Sequence, residues 1–205
     1  MIDIIHNLDQ LQTYLRDRPK VARKAARLAL NQTADRRVLA EARKRIMEQI
    51  AFPRNYLTGR NLRVSRRATE TDLTVVVSAR QRPTSLARFA LNKNIRASRR
   101  GAGVRLRVKS GATTQIRRAF LVRLRQGGAL SDDVFNLGLA IRLKPGEQII
   151  NRKKAGVARF SRNVVLLYGP SVDQVFQTVR EDIIPDVTEY FETEFTRQFA
   201  RLDGG

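Results

Sequence analysis

The sequence predicts an α+β fold: a long N-terminal helix and a long C-terminal helix packed on a mostly antiparallel β-sheet, with a long basic loop between strands. Two helical stripes and a set of short alternating runs between them lead there. From Pro19 to Ile50, Val21, Ala25, Leu28, Ala29, Val38, Leu39, Ala42, Ile46 and Ile50 recur at steps of three and four. From Ser171 to Leu202 a second stripe runs through Val175, Phe176, Val179, Ile183, Val187, Tyr190, Phe191, Phe195, Phe199 and Leu202. The segments between them are short, β-branched and punctuated by glycine and proline.

In chain order, Asn7 to Arg18 predicts a short helix on Leu8, Leu11, Tyr14 and Leu15, closed by Pro19. Pro19 suits the first turn of the long helix that follows, roughly 31 residues and about 46 Å if unbroken. Alanine at many of its apolar positions lets another element approach closely. Its other face carries Lys20, Arg23, Lys24, Arg27, Arg36, Arg37, Arg43 and Lys44. Phe52-Pro53 ends the helix, and a hairpin is expected from Leu62 and Val64 with Asp72 to Ser78. Asn92 to Gly103, with Lys93, Arg96, Arg99 and Arg100, has little to bury and predicts a mobile loop. Val104 to Lys109 alternates strictly, which turns Val104, Leu106 and Val108 inward and Arg105, Arg107 and Lys109 outward. Further strands are expected at Ala119 to Arg125, Leu137 to Leu143 and Val164 to Tyr168, the last stopped by Gly169-Pro170. Ser171 and Gln174 have capping-box spacing at the start of the C-terminal helix, and Pro185 predicts a kink or a second helix start. Its polar face is expected to carry Glu181, Asp182, Asp186, Glu189, Glu192 and Glu194. The chain is taken as one domain, 1–205, with a helical N-terminal segment over residues 1–50, a basic β-rich segment over 61–168 that contains the loop 92–103, and a helix over 171–202.

Charge narrows the function. Of 40 basic and 19 acidic residues, 24 basic and 5 acidic fall in residues 61–163, whereas residues 164–205 hold 3 basic and 8 acidic. A net charge of +21 repels itself in a compact chain, so a polyanionic partner is expected. Arginine outnumbers lysine in the middle region, and its planar fork suits phosphates. No zinc-finger spacing, helix-turn-helix signature or stacking aromatic pattern accompanies it, so contact should be to backbone and not to bases. The expected nucleic-acid-binding residues are Arg96, Arg99, Arg100, Arg105, Arg107, Lys109, Arg117, Arg118, Arg123 and Arg125. Arg117, Arg118, Arg123 and Arg125 are expected to extend the Arg105 face on an adjacent strand. The basic body and acidic C-terminal helix together predict self-association.

Catalysis finds little support. There is no cysteine and one histidine, His6, so thiolate sites and histidine-based triads or metal sites have no residues to build on. The Glu189, Glu192 and Glu194 cluster is explained by a solvated helix face, and no phosphate-cradling glycine loop occurs. No enzyme, cofactor or metal is expected. The N-terminus lacks a signal-like core and no run of about 18 apolar residues occurs, which predicts a soluble, intracellular chain when made.

Several blocks resemble a known group. These are Ala25-Ala26-Arg27-Leu28-Ala29-Leu30-Asn31-Gln32-Thr33-Ala34, Phe52-Pro53-Arg54-Asn55-Tyr56-Leu57, Arg82-Pro83-Thr84-Ser85-Leu86-Ala87-Arg88-Phe89, Ala119-Phe120-Leu121-Val122, Leu167-Tyr168-Gly169-Pro170-Ser171-Val172 and Glu194-Phe195-Thr196-Arg197-Gln198. Together they resemble the minor tail protein Z family of lambda-like tailed phages over nearly the whole chain. The resemblance implies a structural virion protein, a tail-completion protein that joins the tail to the DNA-filled head. It would form a homo-oligomeric, six-fold ring at the neck, meet other tail and neck proteins, and line the channel for packaged DNA. It would reside in the virion, and in host cytoplasm before assembly, with no membrane contact. The family brings no catalytic residues. A free, sequence-independent nucleic-acid-binding protein is the alternative. A basic membrane-surface protein ranks last, because the N-terminal helix offers alanine where bulky anchors would be needed.

Overall fold

A computed structural model describes residues 18–92, 103–125, 136–147 and 156–204. The predicted helix over Asn7 to Arg18 and the basic loop with Arg96, Arg99 and Arg100 therefore lie almost wholly outside the described residues. The architecture is α+β: long helices near the two ends of the sequence, and antiparallel sheets between. Chain contacts divide it into two compact units, residues 1–46, 58–80 and 176–205, and residues 47–57 and 81–175.

In the first unit, α1 (Pro19–Thr33) begins with proline in its first turn, where a missing N–H costs nothing. It passes through a π-helical turn (Ala34–Val38) into α2 (Leu39–Gln49). The wide turn has a cause in the sequence. Buried Leu30, Ala34, Val38, Ala42 and Ile46 recur every fourth residue, which on a regular helix drifts by about 40° per step. One wider turn absorbs some of that drift and keeps the buried stripe on one side. The C-terminal stretch is broken as Pro185 required, into α3 (Val172–Val179) and α4 (Ile184–Asp203). Helix α1 packs on α4, and the alanines at 22, 25, 26 and 29 are buried to 1% exposure or less, which permits the close approach. On α4 the buried side chains are Val187, Phe191, Glu194, Phe195 and Gln198. The long helices thus cover each other, which refines the expectation that both lie on one sheet face.

The hairpin of this unit joins β1 (Leu62–Arg66) to β2 (Val76–Ala79), with an irregularity between Val64 and Arg66. The second strand starts later than expected at Asp72. Backbone groups at Thr69 and Asp72 are already used in a local turn, where Thr69 N donates to Asp72 O at 2.8 Å and Asp72 N to Thr69 Oγ1 at 3.0 Å. Asn31 of α1 anchors the connection, accepting from Ala68 N at 2.9 Å and donating to Ala68 O at 3.0 Å.

The second unit holds a five-stranded antiparallel sheet. Its strands are β3 (Thr84–Ser85), β6 (Ala119–Arg123), β7 (Leu137–Arg142), β8 (Val157–Ser161) and β9 (Val164–Gly169). Strand β9 is central, pairing with β3, β7 and β8, and β7 pairs in turn with β6. Both sheet faces are apolar. Ala119 and Leu139 join Ala87, Ala90, Val104 and Leu106 in one cluster, and Leu124, Ala140, Val164 and Leu166 form another. A smaller ladder, β4 (Val104–Leu106) with β5 (Thr114–Ile116), contributes Val104 and Leu106 to the first cluster. Between β9 and α3 the capping box forms as its spacing predicts: Gln174 N donates to Ser171 Oγ and Ser171 N to Gln174 Oε1, each at 3.0 Å.

Candidate nucleic-acid interface

Most of the positive charge belongs to the second unit, whose residues include 21 basic and 5 acidic side chains. Its centre is the segment from Gly103 to Ser110. Val104 and Leu106 are buried and Val108 half-buried, while Arg105, Arg107 and Lys109 are exposed, as the alternation dictated. The regular ladder ends at Leu106, three residues before the expected strand does. Beyond it, the backbone is held by other segments: Leu91 N donates to Arg105 O and Arg107 N to Phe89 O, each at 3.0 Å, and Ala51 N donates to Val108 O at 2.8 Å. A bridge between Ile50 and Lys109 completes this clamp. The three cations therefore project from a backbone fixed along its length.

The strand beside Arg105 is not the one expected. Val104, Arg105 and Leu106 pair with Ile116, Gln115 and Thr114, so β5 and not β6 is the neighbour. Short and polar, Thr114-Gln115-Ile116 carries no apolar run by which sequence alone marks a strand. By this register Arg117 lies two residues past Gln115, on the side of Arg105, and is exposed. Arg123 and Arg125 are exposed at the end of β6, in the other sheet. Arg105 stands on the ladder with Arg117 just past its end, Arg107 and Lys109 follow Arg105 in the exposed alternation beyond it, and Arg123 and Arg125 belong to a separate strand and its end. Among the described residues, Arg105, Arg107, Lys109, Arg117 and Arg123 have no side-chain ion pair.

Arg118 is exposed but, unlike its neighbour Arg117, is engaged within the chain. Its guanidinium grips the Glu147 carboxylate at both oxygens, with Nη1 2.9 Å from Oε2. Lys144 N also donates to Oε2, at 2.8 Å. The Arg118 hydrogen bonds, with help from the Lys144 N–H, hold the Glu147 pKa down to about 2. Nothing local revealed this pair, because its members stand 29 residues apart.

The expected acidic face of the C-terminal helix needs correction at one residue, Glu194. Glu194 is buried, 6% exposed, and its carboxylate accepts from Arg197 Nε at 3.0 Å and from Gln198. The Arg197 guanidinium keeps that carboxyl below its usual range despite the burial. Asp203 is bonded to Arg18, and Asp186 lies 4.0 Å from Arg37. Some of the acidity expected to meet a neighbour is therefore spent inside the chain, while Asp182, Glu189 and Glu192 remain exposed. Among the described residues no cluster of potential metal ligands occurs, and no helix is long and apolar enough to cross a membrane. No family model, curated protein or solved structure matches the chain.

Proposed function

We propose that the chain is a structural component of a tailed-phage virion, a tail-completion protein seated as a ring where tail meets head. In that place it contacts the DNA that passes through it by sequence-blind phosphate binding. The observation that carries the DNA contact is the face formed by Arg105, Arg107, Lys109 and Arg117, exposed and free of ion-pair partners among the described residues. Guanidinium and ammonium groups on a fixed backbone attract phosphates without reading bases. The place in the virion is supported by the resemblance of the sequence blocks to the minor tail protein Z family. Exposed Asp182, Glu189 and Glu192 supply charge complementary to the basic unit of a second copy or of a neighbouring tail protein. This role asks for binding and assembly alone, with no reaction.

The test is assembly. Tails produced without this chain are expected not to join filled heads, and adding the purified chain should restore joining. Particles that join fully in its absence would contradict the proposal.

A further inference from the structure

A concave site lies in the same unit, around Glu147, the partner of Arg118. Lys144-Pro145-Gly146-Glu147 forms a tight turn after β7, closed by Glu147 N donating to Lys144 O at 3.0 Å. Proline in second place and Gly146 at φ +74° in third meet the demands of a type II turn. Leu143 N donates to Asn163 O at 2.8 Å and ties this turn to the β8–β9 hairpin. Between the two turns opens a cavity of about 420 Å³, whose lining includes Lys144, Glu147, Arg159, Arg162 and Asn163.

Its charge is lopsided. Glu147 is the one carboxylate in the lining, and Arg118, from outside the lining, holds both of its oxygens. Arg159 and Arg162 are exposed and have no ion pair among the described residues. Three cations thus converge on a cavity whose only acid is already satisfied. We propose that this cleft binds a phosphate group, with Arg159 and Arg162 donating to its oxygens and Lys144 adding a point charge. Two planar guanidinium forks match a tetrahedral group with several acceptor oxygens better than a lone carboxylate does. The phosphate could be free or belong to a phosphodiester backbone, since the chemistry recognised is the same. None of these residues belongs to the Arg105 face, so the cleft stands whether or not the neck reading does.

The experiment titrates the full chain with inorganic phosphate and, separately, with a short DNA duplex. Arg159→Gln/Arg162→Gln is compared with Arg63→Gln/Lys44→Gln, which removes two exposed cations from the other unit. All four side chains are exposed, and unchanged thermal melting would show that the fold is kept. Saturable phosphate binding should weaken at least about tenfold in the cleft variant, the effect of losing one charge-assisted hydrogen bond, and stay within about twofold in the control. The same selective loss seen with the duplex alone would support the cleft and assign it to phosphodiesters. Equal losses in both variants, or no saturable binding of either probe, would overturn the proposal. A failure of the neck reading would show instead in tail joining, which this titration does not touch.

Discussion

Phe191→Ala is expected to destabilise the helical unit by about 3–5 kcal/mol, the usual cost of truncating a buried phenylalanine to alanine. Phe191 is 1% exposed on α4, and its ring centre lies 6.1 Å from that of Phe195. The flanking elements give little room for collapse into the space left behind. On α1 the buried positions are largely alanine, whose side chains cannot reach across, so the cavity cost should be near its upper range. Phe160, 42% exposed at the edge strand β8, is the comparison, and Phe160→Ala should move stability by about 0.5 kcal/mol or less. Urea denaturation of both variants checks the pair. A small loss for Phe191→Ala would mean that the α1–α4 packing described above does not hold.

Gly103→Ala should cost about 3 kcal/mol and, unlike Phe191→Ala, should also disturb the face proposed to bind DNA. Gly103 sits at φ +75°, where an L side chain is strained by about 1–2 kcal/mol. A Cβ there would lie 2.5 Å from Arg117 Cα and closer still to Ile116 O, so backbone and not a flexible side chain would have to move. Forcing β5 away from β4 breaks the pairing Val104 to Ile116 and displaces Arg117 from the side of Arg105. Gly111, at φ +78° with nothing within 4 Å of a built Cβ, separates the two causes. Gly111→Ala should lose only the conformational contribution, about 1 kcal/mol. Thermal melts and DNA affinity measured on both variants would show the difference. Equal effects at the two glycines would argue that the close approach of β4 and β5 is absent.

What could be read in advance was what local spacing encodes. The capping box at Ser171 and Gln174, the break at Pro185 and the alternation from Val104 to Lys109 each follow from residues a few positions apart, and each is present. Long-range pairing was not legible. Strand β8, with exposed Arg159, Phe160 and Ser161, has the composition of a solvated loop and becomes a strand only because β9 offers an edge. The capture of Arg118 by Glu147 likewise depends on the fold bringing two turns together. Glu194 is different, because a local signal existed. It stands three residues after Phe191 and seven after Val187, in the buried stripe, and a bonded carboxylate there was hidden by the expectation that acids face solvent.

The salt dependence of DNA binding tests the central claim most directly. Each phosphate contact contributes roughly 0.9 to the slope of log affinity against log salt for duplex DNA. The account predicts a steep slope that hardly changes with DNA sequence. Arg105→Gln/Arg107→Gln should lower it by up to about 2, with folding intact because both side chains are exposed and Val104 and Leu106 still face the core. A double variant that folds normally and keeps the parent's slope and affinity would contradict the account, and would assign this face to acidic protein neighbours instead of DNA.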